Sequence, residues 1–498
     1  MFCTLHATPR GISDPHGPVG IGALADHHRV RGDPPEDRGG SHHRIDCSPR
    51  RDAGAPGQET YFNPGCSSGR RGSKLEVVIL GIGAAGIAAL EALRAAERAG
   101  GLEPSEVTVV APEEGFPYSL CALPFSLCGD LDECHLDRFE GDVLDRLGAS
   151  RVRARATGID TSEGLVRLDG GRQLRYDRLL VATGSVPFVP PVDGLDLTGV
   201  HFLASLSDTR GIRGWVDAGN RRCIVIGAGF VGIEAAVALR KLRCEVTVVE
   251  MLGWVLPRVL DEDVAATAQA HLEAGGLGFR LGSQVTRVEG DAGGTVAAVR
   301  VGEERIECDT VVVGIGVRPN IAFLKGAGID VHHGVLVGDD MQTSVPGVFA
   351  AGDVVEARSR HTGAPTLGAI WPNAIAQGRV AGWAMAGSTE PYDGSEMLNV
   401  INLFEVPAVS LGLTSFLASQ MKLAVEPVAF RPPGGRVHKK LLLAGGRIVG
   451  AQLVGDVTNA GVILGYIRNG WDASAVSERV LRGPLPLGLV RGGPEPVD

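Results

Sequence analysis

Apolar and polar positions along the chain fall into recurring blocks. At 75–90, LEVVILGIGAAGIAAL, a continuous apolar run of strand length passes into Gly81-x-Gly83-x-x-Gly86 and then into an alanine-rich stretch with helical character. EVTVVAPEEG closes the block with a second strand pattern. The same order returns at 222–250 as RCIVIGAGFVGIEAAVALRKLRCEVTVVE. Two more strand patterns end in Ala182-Thr183-Gly184 and in Gly352-Asp353, one on each side of the second block. This order predicts two α/β units, the second inserted in the first. TLGAIWPNAIAQGRVAGWAMAG predicts a helix with Pro372 in its first turn. Beyond residue 390 the pattern shifts: MLNVINLFEVPAVSLGLT alternates as a strand, and HKKLLLAGGRIVGAQLVGD reads as two strands around a Gly-Gly turn.

The chain has 498 residues, enough for several domains, with 44% apolar residues and 71 glycines that point to many tight turns. A formal net charge of −10 argues against a nucleic-acid partner. No apolar run reaches about 18 residues, so no membrane span is expected. Nine cysteines show neither disulfide-framework density nor a C-x-x-C metal pair, which suits reduced thiols in a cytoplasmic protein. Residues 1–73 are rich in Gly, Pro, Arg, Asp and His without periodicity, and are expected to form a disordered tail. They contain no apolar core for a signal peptide, and their His pairs read as solvated rather than metal-binding. No methionine lies between Met1 and Met251, so a non-Met start near Leu75 is expected.

Each fingerprint has a physical reason. The first glycine permits a tight turn, the second lets backbone approach a pyrophosphate, and the third allows close helix–strand packing. The helix N-terminus then offers N–H groups to the phosphates. Gly81, Gly83, Ala85 and Gly86 form one candidate site; Gly227, Gly229, Phe230, Val231 and Gly232 form the other. Glu250 ends the second strand of the second block, 23 residues after Gly227. A carboxylate there accepts from a ribose diol and repels a 2′-phosphate, which favours NADH, with NADPH the alternative. In the first block Ala111 takes the equivalent place, so Glu113 is the candidate acid and Glu114 the fallback. A strand-end Gly352-Asp353 lets backbone approach a ligand while the carboxylate binds a sugar-alcohol hydroxyl.

Five ordered motifs, Gly81–Gly86, Ala182-Thr183-Gly184, Gly227–Glu250, VVVGIGVRPN with Gly316, and TSVPGVFAAGD, resemble the pyridine nucleotide–disulfide oxidoreductase superfamily over residues 75–498. The resemblance implies an α/β fold: two Rossmann-like FAD/NAD(P)-binding domains, the second inserted in the first, plus a C-terminal α+β dimerisation domain. The expected boundaries are 74–196 and 318–390 for the FAD domain, 197–317 for the NAD(P)H domain, and 391–498 for a homodimer interface. The resemblance further implies Asp353 on the FAD ribityl chain, Glu234 near the flavin–nicotinamide interface, and Phe230 as a flavin gate, its alternative being a core aromatic. It aims the helix after Pro372 at flavin N1/O2, with backbone N–H donors near Ala374 and Ile375.

PYSLCALPFSLCGD places Cys121 ahead of Pro124, with Ser119 as a candidate helix cap; a thiol near a helix N-terminus ionises more readily. Cys128 would lie about 10 Å along a helix, beyond the reach of a disulfide, which needs Cα atoms within about 7 Å. Cys134 is farther along, and Cys223, Cys244 and Cys308 read as buried structural thiols. YSLCALPF resembles the single-cysteine coenzyme A-disulfide reductase and NADH oxidase branch, which implies a redox-active Cys121 and coenzyme A as a mixed-disulfide partner. VVAPEEGFPYS and LVGDVTNAGVILGYIRNG also resemble nitrite, rubredoxin and ferredoxin reductases, which implies an alternative: electron transfer to a redox protein partner's metal centre. The expected function is an FAD-dependent NAD(P)H oxidoreductase that reduces a small-molecule acceptor, a disulfide, sulfur species or oxygen, through Cys121.

Overall fold

The computed structural model describes residues 74–484 apart from 114, 116, 138–142 and 389. The expected disordered tail with its His pairs, the fallback acid Glu114 and the last residues of the C-terminal segment lie outside the described residues. The chain opens with β1 (Glu76–Leu80), α1 (Ala84–Gly100) and β2 (Glu106–Val110), followed by α2 (Leu123–Cys128) and β3 (Ala149–Val152). Val77 to Leu80 are all buried, which is what an apolar run without alternation requires of a strand covered on both faces. β4 (Arg178–Val181) and the short β5 (Ser185–Pro187) lead out of this unit.

The inserted unit contains β6 (Val200–Phe202), α3 (Leu206–Asp217), β7 (Arg222–Ile226), α4 (Phe230–Lys241), β8 (Glu245–Val249), α5 (Glu262–Ala274), β9 (Leu277–Arg280) and β10 (Thr310–Val313). Its strands form a parallel sheet in the order β9-β8-β7-β10-β6. The chain returns along β11 (Val317–Pro319), which pairs antiparallel with β5 through Pro319↔Ser185 and Val317↔Pro187. The outgoing and returning crossovers are thereby one two-stranded ribbon. β12 (Val348–Ala350) then joins the first sheet, whose order is β12-β4-β1-β2-β3, all parallel. α6 (Trp371–Met385) packs on α1: Gly378 and Gly382 sit so close to the carbonyls of Ala85 and Ala89 that a Cβ at either would overlap them.

The C-terminal segment builds an antiparallel sheet from β13 (Leu398–Leu403), β14 (Val406–Gly412), β15 (Glu426–Phe430), β16 (His438–Ala444) and β17 (Arg447–Val454), followed by α7 (Ala460–Asn469). The strand order is β13-β14-β17-β16-β15. The alternating stretch expected as a strand at 397–414 is a hairpin that reverses at Phe404-Glu405, with Phe404 at φ 58. The ring of Phe404 fills the space over Gly275, where a Cβ would stand 2.6 Å from its Cζ. Ile401, Leu403, Ala408 and Val454 share a core with the inserted unit. Among the described residues no helix is long and apolar enough to cross a membrane.

Candidate active site

Gly81 has φ +115, and a Cβ there would overlap the carbonyl of Ala182. The turn is fixed by bonds from Gly81 N to Val110 O and from Ala182 N to Leu80 O, both 2.8 Å. A Cβ at Gly86 would overlap Gly81 O, whereas one at Gly83 would meet nothing within 4 Å. The second block repeats this division. Gly227 has φ +102 and stands against Gly314 O, Gly232 is closed off by Gly227 O, and Gly229 faces open space. In each cradle two glycines are required by close packing, and the middle one leaves room at a helix N-terminus for a diphosphate. The sequence reading passed over Gly314: a Cβ there would be 2.6 Å from Gly232 Cα, so the crossing strand end must also be bare. Ala85 is buried behind the first cradle, while Phe230 and Val231 are partly buried and pack on the core of the inserted unit.

Glu250 is held at the rim of the second cradle. Its Oε2 accepts from Ala228 N at 2.7 Å and its Oε1 from Leu252 N at 2.8 Å. Glu113 is exposed at the end of the first block. Its backbone carbonyl accepts from the Arg151 guanidinium, which also reaches Gly115 O and ties this loop to β3.

Asp353 lies beside the ribbon, and its Oδ2 accepts from Ser185 Oγ at 2.9 Å. Burial raises the Asp353 pKa, and the Ser185 bond offsets part of that rise. The neighbouring Gly352 N donates to Oε1 of fully buried Gln377 at 2.9 Å. Thr183 Oγ1 donates to Asn320 O at 3.1 Å and Asn320 N to Gly184 O at 3.0 Å, so the Ala-Thr-Gly segment is stitched to the chain just past β11. Gly184 at φ +64 and Gly316 at φ +109 both face open space. Sequence reasoning missed Ser185 and Gln377. A polar residue between Ala376 and Gly378, in a helix made mostly of small and apolar residues, was the available signal for Gln377.

The expected donor at Ala374 needs correction. Its N–H donates to Ile370 O at 3.1 Å, the first bond of the α6 ladder, and Pro372 has no N–H. An outward donor at this helix start therefore lies earlier than Ala374, within the Trp371–Asn373 turn. Ala374 instead forms a wall, its Cβ 3.7 Å from where a Cβ at Gly352 would stand. Glu234 on α4 is partly exposed at the residue level, yet the protein around its carboxyl pushes the pKa up to about 7. Cys121 is exposed in a 3-10 turn, Leu120–Ala122, immediately ahead of α2, and Pro124 is in the first turn of α2. Ser119 occupies the cap position of that turn without a side-chain cap bond. Cys223, Cys244 and Cys308 are buried, and burial pushes the Cys308 thiol up to about 12.

Residues 75–378 match the family model described as pyridine nucleotide-disulphide oxidoreductase. The chain belongs to this family. The oxidoreductase is 33% identical over 406 residues to the NADH-dependent phenylglyoxylate dehydrogenase subunit epsilon of Aromatoleum evansii, covering 80% of this chain and 94% of that one. It is 31% identical over 399 residues to an NADH oxidase of Methanocaldococcus jannaschii, covering 76% and 88%. Among solved structures it resembles an NAD-dependent persulfide reductase from A. fulgidus, with TM-score 0.74 and 28% identity over 80% of this chain and 77% of that one. It is an FAD-dependent NAD(P)H oxidoreductase, and its two open-centred glycine cradles fit the two dinucleotides the family implies.

Proposed function

We propose that the oxidoreductase couples oxidation of NADH to reduction of a low-molecular-weight disulfide, another sulfur species or oxygen, with Cys121 as the redox-active thiol. The observation that carries this reading is the exposure of Cys121 on its turn ahead of α2. In the proposal, Gly81–Gly86, Glu113, Ala182–Gly184, Gly352 and Asp353 hold FAD, and Gly227–Gly232 with Glu250 hold NADH. Bound FAD would supply the two-electron relay between nicotinamide and acceptor. Glu250, anchored by two backbone N–H groups, accepts from the ribose diol and disfavours a 2′-phosphate. Gln377 and Ser185 hold Gly352 and Asp353 in place. The Cys121 thiolate attacks one sulfur of a disulfide RSSR, forming Cys121–S–SR and releasing RS⁻. The electron pair from NADH then cleaves that mixed disulfide, releasing the second RS⁻ and restoring the thiolate. The sum is NADH + RSSR + H⁺ → NAD⁺ + 2 RSH. Coenzyme A is the first thiol to test as RS. The segment 391–498 is proposed as the interface of a cytoplasmic homodimer.

A second reading, electron transfer to a partner's metal centre, draws support from the relative named as a dehydrogenase subunit. Cys121→Ser separates the two. The disulfide reading requires loss of NADH-dependent disulfide reduction with one-electron dye reduction retained, and mass spectrometry should find a thiol adduct on Cys121. Unchanged turnover with every physiological acceptor supports the second reading.

A further inference from the structure

Besides the shared core, the C-terminal sheet holds the inserted unit by a cluster of polar bonds at one short segment, 259–263. Lys440 on β16 is buried, and its Nζ lies 2.8 Å from Asp261 Oδ2 and 2.9 Å from Asp263 Oδ1. Ser415 donates to the same Asp261 carboxylate through N at 2.9 Å and Oγ at 2.6 Å. Gln452 on β17 accepts from Asp261 N at 2.7 Å, and Ser410 on β14 donates to Val259 O at 2.6 Å. Asp261 occupies the cap position of α5 but makes no cap bond there, because its carboxylate is committed to the C-terminal sheet.

From this segment a second run of bonds reaches the fingerprint. Val259 N and Leu260 N both donate to Leu256 O at 3.0 Å. Leu256 N donates to Ala228 O at 2.8 Å, and Ala228 N donates to Glu250 Oε2 at 2.7 Å. Leu256 is buried at φ 52, a left-handed conformation that leucine adopts only where its surroundings impose it. Ala228 lies between the first two glycines of the second fingerprint. The turn that supports the cradle is thus conformationally unfavoured at one end and clamped by the C-terminal sheet at the other.

We propose that Lys440 is a positioning residue for the NADH site: through Asp261 it holds the 256–261 turn, and with it Ala228 and Glu250, in binding geometry. The inference rests on reading Gly227–Glu250 as that site. Burial alone would lower the Lys440 pKa, but the two carboxylates outweigh it and keep the ammonium charged. Without that charge Asp261 loses its ion pair, whereas Asp263 keeps Arg431 at 3.2 Å, and the turn can relax at Leu256.

The test compares Lys440→Met, Lys440→Arg and Ser415→Ala as flavin-loaded full-length chains, with Glu250→Gln as the marker of the site. Lys440→Met is expected to raise the KM for NADH about tenfold, the scale of one charge-assisted contact, while kcat and flavin content stay within about twofold. Lys440→Arg restores most of the loss, and Ser415→Ala gives a smaller rise in the same direction. Lys440→Met combined with Glu250→Gln is less than additive, because both act through Ala228. An unchanged KM in folded Lys440→Met protein overturns the proposal, as does full additivity. If Lys440→Met does not fold, an unchanged KM in Ser415→Ala overturns it. If Glu250→Gln leaves NADH binding at the wild-type level, the reading of the nucleotide site fails instead of the clamp.

Discussion

Substituting Gly227 by alanine sets two effects against each other. Replacing glycine stiffens the unfolded chain and stabilises a protein by about 0.4–1 kcal/mol where the native φ suits alanine. At Gly227 it does not: φ is +102, and a Cβ would stand 2.7 Å from Gly314 O and 2.9 Å from Ile315 Cγ2. Strain of this kind costs about 1–3 kcal/mol, and carbon contacts this far inside about 3.5 Å add to it. The net cost of roughly 2–3 kcal/mol is relieved by moving the fingerprint loop, which lies where the diphosphate would bind. At 1.4 kcal/mol per tenfold, the NADH concentration needed for half-maximal flavin reduction should rise roughly 30- to 140-fold. Anaerobic stopped-flow reduction of the bound flavin over a range of NADH concentrations reads this directly. Flavin content and the rate of reduction by dithionite should match wild type, because the first cradle is built from Gly81–Gly86. A variant that keeps the wild-type NADH dependence would refute the account of this glycine.

Three further outcomes are expected. Glu250→Ala should raise the KM for NADH about tenfold and narrow the preference over NADPH, since the carboxylate that organises Ala228 N and Leu252 N is gone; steady-state kinetics with both nucleotides checks this. Ser185→Ala should weaken FAD retention by roughly fivefold, because Asp353 loses the hydrogen bond that offsets its burial; flavin release on dilution measures it. The Glu234 carboxyl holds its proton up to about 7 when folded, against an ordinary 4.5, so the native state binds more protons across that window and stability falls as pH rises through it. At 1.36 kcal/mol per pH unit the loss is at most about 3 kcal/mol, and about 1–2 kcal/mol for a partly exposed side chain. Between pH 5 and pH 8 the unfolding free energy should fall by about this much more in wild type than in Glu234→Gln.

The two fingerprints were legible because everything that makes them is local: a buried strand, three glycines at fixed spacing and a small-residue helix follow one another in the chain. Their partners were not. Ser185 meets Asp353 across 168 positions, and Lys440 meets Asp263 across 177; no periodicity encodes such meetings. The β13–β14 hairpin was read as one strand because its turn contains neither glycine nor asparagine, and Phe404 takes the left-handed conformation with its ring seated over Gly275. At α6 the sequence indicated the helix start but not its first bond, which occupies the Ala374 N–H. The Ser119 hydroxyl suited a cap by type, but the turn it precedes is 3-10 and leaves it without the cap bond.

An anaerobic titration of the purified, oxidised protein with NADH tests the role of Cys121 most directly. With a thiol stored on Cys121 as a mixed disulfide, the wild type should consume about two NADH per flavin before NADH accumulates, releasing one thiol, while Cys121→Ser should consume about one. Equal uptake of about one NADH per flavin by both proteins, with no thiol released, would contradict it.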